Sequence, residues 1–579
     1  MSLGSPRRIS ADVLVIGGGG AGLRAAIAAA EGGAQVLLAV KGLAARSGAT
    51  AMAGDSIQAV FHPDDSPAAA FEDVRRAGSQ LGDENLIQAL VTDAPQRVRD
   101  LARYGVKLQT NPEGDLVLIP YPGQSYARGV SVTGNGYSMA FNLRRQALKN
   151  DAIELLDDCM VTRLFTSQGR MAGALAYGMR AGAAVIIEAP AVVLATGGYQ
   201  ELWRWTDAEP SLTGDGAWLA FQAGADLVDL EMVQHYPSVV CHPPEIVGVA
   251  PSYEILLNQE WCGAQMLDGR GELMLSPGQM PIRSELSQII FTALQEGRGA
   301  AHGGVMISLA HSPLSREVIR ANYDRLEPGV SRHMRSMGVD ILEQPIEVRP
   351  FTHYLMGGVR INEWCETSVP GLLAAGEVGG NMNGADRIGG NGLAESQVFG
   401  ARAGQRAAEL AANAAHVTPE VGAVATEISR LEGFLSGHTS HSSTDPLRGV
   451  ELKRRIKTIM DAHVNGQRDK AGLSAALEAL GQLQAEALPR LRAAPAPLCF
   501  NIDLQEAIEA SMMVELAQWT TAAALERSET RGCHTRIDFP NLSANDPEHT
   551  LISPDGENGF RVGRAPVVRL NSETSQMNK

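Results

Sequence analysis

Basic residues are in deficit in this sequence of 579 residues: 49 lysines and arginines face 65 aspartates and glutamates, for a formal net charge of −16. A nucleic-acid partner needs a basic surface that neutralises phosphates, so this balance argues against one. An anionic substrate must instead meet a local basic pocket, because long-range attraction is screened over about 8 Å at physiological salt.

Long hydrophobic runs are absent as well. No stretch approaches the roughly 18 uninterrupted apolar residues of a membrane-spanning helix, so we expect no direct membrane span. Arg7 and Arg8 precede an apolar run, but that run covers only residues 13–16 and ends in glycines. It therefore predicts a first strand rather than the apolar core of a secretion signal.

Cysteine is scarce and scattered, at Cys159, Cys241, Cys262, Cys365, Cys499 and Cys533. None of the six forms a C-x-x-C pair, so we expect neither an iron–sulfur cluster nor a zinc site, and no metal, within this chain. Isolated cysteines in so long a chain are typical of a reducing compartment, which predicts a cytoplasmic protein.

The clearest positive signal is a strand, a glycine turn and a helix near the start of the chain. ADVLVI (11–16) leads into GGGGAG (17–22) and an alanine-rich helix, and a second strand, AQVLLAV (34–40), follows. Gly17 permits the tight turn, Gly19 lets the backbone approach a pyrophosphate, and Gly22 lets the helix pack on the strand. The pattern predicts a dinucleotide whose pyrophosphate lies on the N–H groups of a helix N-terminus.

The second strand ends at Ala39-Val40-Lys41, without the acidic residue that usually binds the ribose of NAD. This departure disfavours a plain NAD enzyme. The ribose contact must then come from another part of the chain.

Six further segments, taken in order, resemble the flavoprotein family of succinate dehydrogenase, fumarate reductase and L-aspartate oxidase. They are LAARSGATAMAGDS (43–56), VVLATGGY (192–199), LTGDGAWLAFQAGADLVDLEMVQHYP (212–237), RPFTHYLMGGVRI (349–361), PGLLAAGEVGGNMNGADRIGGNGLAESQVFGARAG (370–404) and RGCHTRIDFP (531–540). The resemblance covers residues 11 to about 565. It implies an FAD-dependent oxidoreductase, in which hydride and proton are exchanged across a carbon–carbon bond next to a carboxylate.

The resemblance also implies which residues hold FAD. Glu377 matches the acid that binds the flavin ribose, and Gly392 replaces a serine in the segment that passes under the flavin. The expected cofactor contacts are Gly17, Gly19, Gly20, Ala21, Gly22, Lys41, Gly42, Ser47, Gly48, Ala49, Thr50, Ala195, Thr196, Gly197, Gly198, Asp215, Glu377, Asn391, Gly392 and Leu393. Many members attach FAD covalently through the histidine of an R-S-H-T motif. Residues 46–50 read R-S-G-A-T, so we expect noncovalent FAD.

Three cationic residues match the family's substrate site. His353 and Arg387 match its carboxylate-binding pair, and Arg283 matches the arginine that delivers a proton to the substrate. Bidentate arginine suits the geometry of a carboxylate. Glu272 and Glu285 are interpreted as solvated surface carboxylates rather than as members of the proton path.

Several positions depart from the family pattern. Tyr236 occupies the place of a substrate-binding histidine, and His235, one residue away, should point to the opposite face of a strand. The threonine–glutamate pair and the G-E-R-F arginine of the relay region are missing from LLNQEWCGAQML (256–267) and GELM (271–274). Gln124 stands where the L-aspartate oxidase branch carries a glutamate, which disfavours an amino-acid substrate.

Together these signals predict an α/β fold with a Rossmann-like FAD-binding domain, an inserted α+β capping domain and a C-terminal helical domain. We place the FAD-binding domain in residues 1–236 and 350–410 and the capping domain, with substrate contacts, in 237–349. The helical domain then covers 411–540 and a polar tail covers 541–579.

Three functions remain open at this point. The first is succinate/fumarate chemistry on a small carboxylate. The second is the same chemistry on another small organic acid, which Tyr236 favours. The third is an FAD-carrying subunit that passes electrons to an iron–sulfur partner, which the lack of C-x-x-C pairs favours.

Overall fold

The computed structural model describes residues 2–54, 56–415, 417–435, 445–556 and 559–570. The strands are β1 (Arg7–Ser10), β2 (Val13–Ile16), β3 (Val36–Ala39), β4 (Ser56–Gln58), β5 (Leu118–Ile119), β6 (Gly129–Ser131), β7 (Ile153–Leu156), β8 (Cys159–Ser167), β9 (Arg170–Gly178), β10 (Ala183–Glu188), β11 (Ala191–Leu194), β12 (Leu227–Val228), β13 (Val233–His242), β14 (Gln265–Leu267), β15 (Val305–Ser308), β16 (Ile346–Leu355), β17 (Gly358–Val359), β18 (Leu372–Ala374), β19 (Glu548–Asp555) and β20 (Gly559–Pro566). The helices are α1 (Gly20–Glu31), α2 (Ala49–Met52), α3 (Pro67–Ala77), α4 (Glu84–Arg103), α5 (Asn135–Ala147), α6 (Asp215–Gln222), α7 (Tyr253–Leu256), α8 (Arg283–Gln295), α9 (Arg316–Leu326), α10 (Pro328–Ser336), α11 (Asn391–Ala412), α12 (Val421–Leu435), α13 (Gly449–His463), α14 (Lys470–Ala487) and α15 (Ile502–Glu526).

A five-stranded sheet in the order β18-β11-β2-β3-β7 forms the centre of the FAD-binding domain. All four pairings are parallel, and every residue of β2, β3 and β11 is buried. Short, wholly apolar strands are typical of a parallel sheet covered on both faces. Helices α1 and α11 pack together so closely that a Cβ at Gly404 would lie 2.1 Å from the Ala25 carbonyl oxygen.

The capping domain is entered and left through one antiparallel strand pair, β13 and β16. These strands belong to a four-stranded sheet in the order β13-β16-β15-β14, against which α8 packs. The domain has its own hydrophobic cluster, from Tyr236 to Phe351, separate from that of the parallel sheet. The predicted fold class, an α/β FAD domain with an inserted cap and C-terminal helices, is confirmed.

The C-terminal helices share the core of the FAD domain. Helix α15 is buried on all sides and packs against α13 and α14, and its apolar residues belong to the same cluster as the parallel sheet. The stretch after residue 541, interpreted above as a polar tail, contains the hairpin β19–β20. Ile552 pairs with Leu227, so the hairpin extends the sheet at β12. Both residues are buried, and this pairing orders a segment that is otherwise polar.

Candidate active site

A cavity of about 780 Å³ lies where the carboxyl end of the parallel sheet meets the cap. In open α/β sheets this edge is where ligands bind. The cavity wall includes most of the predicted cofactor contacts: Gly17, Gly19, Gly20, Ala21, Lys41, Gly42, Ser47, Gly48, Ala49, Thr50, Ala195, Thr196, Gly197, Asp215, Glu377, Gly392 and Leu393. The same wall carries all three predicted substrate residues, Arg283, His353 and Arg387.

The turn between β2 and α1 has the geometry of a pyrophosphate cradle. Gly17 has φ +116°, and a Cβ there would lie 2.2 Å from the Ala195 carbonyl oxygen. A Cβ at Gly22 would lie 1.8 Å from the Gly17 oxygen, so this glycine permits packing. At Gly19, the N-cap of α1, the nearest atom to a Cβ is the Thr50 hydroxyl at 3.6 Å. This open approach to a helix N-terminus fits the diphosphate of FAD.

Three predicted cofactor contacts lie outside the cavity wall. Gly22 packs against the turn, and a Cβ at Gly198 would meet the Glu377 carboxylate at 2.9 Å. Asn391, the first residue of α11, is buried, and its Nδ2 has no hydrogen-bond partner among the described residues. Gly22 and Gly198 therefore pack behind the wall rather than form it.

Lys41 occupies the position at the end of the second strand where an NAD enzyme usually has an acidic residue. Its ammonium donates to the Thr213 hydroxyl at 2.9 Å and lies 2.8 Å from both Asp215 and Glu509. Burial alone would lower the pKa of Lys41, but these two carboxylates raise it overall. The lysine thus fixes Asp215, at the N-terminus of α6, in the cavity wall and ties α15 to the FAD domain.

Glu377 lies in the same cavity wall. Its Oε1 accepts from Gln200 Nε2 at 2.5 Å and from the Leu355 backbone N–H at 3.1 Å. Burial raises the pKa of Glu377 to about 8. A buried carboxyl with remaining acceptor capacity is suited to the hydroxyl groups of a ribose or ribityl chain.

Arg283 projects into the cavity from the first position of α8 in the cap. Its Nη2 lies 3.4 Å from Glu254 Oε1, and its guanidinium lies 4.8 Å from the centre of the Tyr236 ring. Burial would lower the pKa of Arg283, but Glu254 and the tyrosines around it raise the pKa overall. The Arg283 side chain is therefore a largely buried cation that pairs with Glu254 and borders the cavity.

Glu254 corrects the expectation that the relay region has no glutamate. The missing pair was sought in residues 256–267, whereas the glutamate stands just before them, in α7. Its Oε2 accepts from the Tyr236 hydroxyl at 2.9 Å and from the Ser252 hydroxyl at 2.8 Å. The carboxylate is buried beside Arg283, 3.4 Å from its guanidinium. Glu272 and Glu285 are exposed, as predicted.

Arg387 is held by a chain of buried hydrogen bonds. Its Nη2 donates to Gln234 Oε1 at 3.0 Å, and Gln234 Nε2 donates to Asp386 at 2.6 Å. Because a carboxylate only accepts, Asp386 turns the Gln234 amide so that its oxygen faces the guanidinium. The guanidinium also lies 4.2 Å from the centre of the Tyr354 ring. Burial and the neighbouring Arg283 lower the pKa of Arg387.

His353 completes the basic group from the end of β16. Its Nδ1 lies 2.8 Å from Asp207, and its ring centre is 5.2 Å from that of Tyr236. His235 is excluded from the cavity wall: it is buried, and its ring packs edge-on against Phe291. Alternation along β13 therefore presents Tyr236 rather than His235 to the cavity, as the sequence predicts.

Glu254, Gln234 and Asp207 contact the predicted substrate residues but are not among the residues predicted from the sequence. Glu254 has a weak signal, a serine two positions before it that matches a helix N-cap. Gln234 lies inside the segment 212–237, where only His235 and Tyr236 were considered as possible substrate contacts. Asp207 has no local signal, because it lies 146 residues from the histidine it contacts.

Comparison with known proteins gives a consistent assignment. A family model described as FAD binding domain matches residues 12–393, and one described as fumarate reductase flavoprotein C-term matches residues 453–576. One of the subunits of the fumarate reductase (CoM/CoB) of Methanothermobacter marburgensis is 35% identical over 564 residues, covering 96% of this chain and 98% of that protein. The fumarate reductase flavoprotein subunit of Mycobacterium tuberculosis is 31% identical, covering 96% and 97%.

A solved structure of Escherichia coli quinol fumarate reductase superposes with a TM-score of 0.87 at 27% identity, covering 98% of each chain. No helix in the described ranges is long and apolar enough to cross a membrane. The family models and these relatives agree on the cofactor and on the type of chemistry. The chain belongs to the FAD-dependent flavoprotein family of fumarate reductases and succinate dehydrogenases.

Proposed function

We propose that this chain interconverts fumarate and succinate, with noncovalently bound FAD. One observation carries the proposal: the cofactor wall, two arginines (Arg283 and Arg387) and His353 line one cavity. Arg387 Nε is buried with no partner among the described residues, and an unsatisfied buried donor costs about 1–3 kcal/mol. A bound carboxylate would relieve that cost.

The reaction adds two electrons and two protons to the double bond of fumarate. FAD in its reduced form would supply the hydride to one alkene carbon and would end oxidised. Arg387 and His353 hold the carboxylates and withdraw electron density from the double bond. Arg283 gives a proton to the other carbon and regains one that Glu254, 3.4 Å away, takes up from solvent and passes on. The arginine thus acts as a relay, since its high pKa precludes a stable neutral form.

Noncovalent attachment is supported by the segment that would carry the link. Ser47, Gly48, Ala49 and Thr50 line the cavity, and none has a side chain that forms a flavin bond in this family's R-S-H-T manner. Release of a yellow cofactor from acid-denatured protein would support this part of the proposal.

A second candidate substrate is an unsaturated acid with one carboxylate. Tyr236 already donates its hydroxyl to Glu254, and the cap side of the cavity is lined by Val249, Ile255, Trp261 and Val330. An apolar wall suits a methyl or larger apolar group better than a second carboxylate.

Fumarate and crotonate separate the two candidates, because they differ only in a carboxylate replaced by a methyl group. With reduced methyl viologen as electron donor, we expect kcat/KM for fumarate to exceed that for crotonate at least tenfold. Preference for crotonate would replace the first candidate with the second. Reduction of neither acid would overturn both.

We also propose that the electron partner is an iron–sulfur protein of the same complex and that the compartment is the cytoplasm. Relatives are named as subunits of fumarate reductases, and the six cysteines are free thiols. Beside the cavity, α2 and α5 expose Met52, Tyr137 and Phe141, with Met52 in the cavity wall itself. An exposed apolar patch at the mouth of a flavin cavity is suited to a docked electron-transfer protein.

A further inference from the structure

His353 is paired through one ring nitrogen, Nδ1, with the carboxylate of Asp207, which also borders the cavity. Asp207 Oδ2 lies 2.8 Å from His353 Nδ1, and Asp207 is nearly inaccessible to solvent. The aspartate is held in place by its own loop, which is bonded to β16 just before the histidine. Thr206 Oγ1 donates to the Thr352 carbonyl oxygen at 2.9 Å, and the Thr352 N–H donates to Trp205 at 2.7 Å.

This pairing decides what the other imidazole nitrogen can do. With Asp207 ionised and His353 neutral, Nδ1 carries the proton, and Nε2 holds a lone pair. A lone pair repels a carboxylate, so Nε2 can bind one only after the pair gains a proton. The added proton can rest on the His353 ring or on the Asp207 carboxyl. In both cases Nε2 carries an N–H, so the number of protons taken up is one either way.

The groups around His353 keep that proton away until the substrate arrives. Arg283 from α8 and Arg387 from the loop before α11 both face it, and Tyr236 from β13 packs beside its ring. Burial, the largest effect, and these two arginines lower the pKa of His353, while Asp207 raises it. A dianion such as fumarate offsets both cationic charges, so the proton is bound together with the substrate.

We propose that Asp207 is a positioning residue that makes His353 a proton-coupled carboxylate receptor, so that fumarate binds with uptake of one proton. The inference rests on the proposed function and concerns binding rather than turnover. We expect this proton uptake at pH values above the pKa of His353 in the enzyme without substrate. In that range the dissociation constant rises tenfold per pH unit.

Calorimetric titration of the oxidised FAD enzyme with fumarate tests this, because without a reductant no turnover occurs. Heats measured in two buffers of different ionisation enthalpy give the number of protons taken up. We expect close to one proton per fumarate at pH 8 for the wild type. His353→Gln, which donates an N–H without protonation, should bind more weakly and take up none.

Asp207→Asn removes the anion but keeps a hydrogen-bond acceptor. An opposite charge at this range shifts a pKa by about 1–3 units, so fumarate affinity at pH 7 should fall at least about tenfold. Asp461→Asn is the matched control, because Asp461 contacts the same loop through the Arg204 N–H but lies outside the cavity wall. It should leave affinity and proton uptake unchanged.

Fumarate binding without proton uptake, or unchanged affinity in Asp207→Asn, would overturn the inference and leave the proposed function standing. Failure of the wild type to bind fumarate at all would instead overturn the proposed function.

Discussion

Arg283→Gln is expected to lower kcat for fumarate reduction by about 10³-fold, within the 10²–10⁴ typical of losing a general acid. The substitution keeps a polar side chain but removes the group that can pass a proton from Glu254 to the substrate. KM should change much less, because Arg387 and His353 remain to hold the carboxylates. Viologen-driven turnover, with flavin content measured alongside, separates the two effects.

Arg298→Gln is the matched control for this variant. Arg298 also belongs to the cap, where it pairs with Asp268 at 3.1 Å, but it lies outside the cavity wall. It should retain wild-type kcat. A kcat within tenfold of the wild type in Arg283→Gln would contradict the assignment of the proton to this arginine.

His549→Asn is expected to cost on the order of 3 kcal/mol of stability, because it leaves two buried carboxylates without their common partner. His549 in β19 lies 2.5 Å from Asp229 through Nδ1 and 3.1 Å from Asp83 through Nε2. These contacts join the C-terminal hairpin to the loop after β12 and to the N-cap of α4. Urea unfolding of the FAD-loaded protein, compared with exposed His311→Asn, gives the difference.

The same histidine predicts a direction for the pH dependence. Burial would lower the pKa of His549, but Asp229 and Asp83 raise it to about 9, above the roughly 6.5 of an unfolded histidine. The stabilisation is therefore fully present below about pH 6.5 and is lost as the pH rises through about 9. An equal cost of His549→Asn at pH 6.5 and pH 10 would refute this origin.

The cofactor half of the site could be predicted from sequence because its requirements are local. A tight turn, a close backbone approach and a helix N-terminus are all specified within residues 11–22, and Gly17 and Gly22 are required there by contacts too close for a Cβ. The parallel strands are recognisable as short apolar runs. The two strands that bound the cap, β13 and β16, lie close to the predicted cap boundaries at residues 237 and 349.

The substrate half could be predicted only in part, because its contacts join distant segments. Arg283 and Arg387 could be placed by motif, but what each touches could not. Glu254 is 29 residues from Arg283 and was sought in the wrong stretch, since no spacing rule fixes where a loop brings a carboxylate. The C-terminal hairpin was missed because its few buried residues, such as Ile552, are stabilised by β12 rather than by their own pattern.

One anaerobic experiment tests the central claim, that the cavity joins FAD to a fumarate site. The bound FAD is reduced chemically, the protein is mixed with fumarate, and the visible flavin absorbance is followed. We predict prompt return of the oxidised spectrum with one succinate formed per FAD, and recovery about 10³-fold slower in Arg283→Gln. A reduced flavin that persists in the wild type with saturating fumarate would contradict the claim.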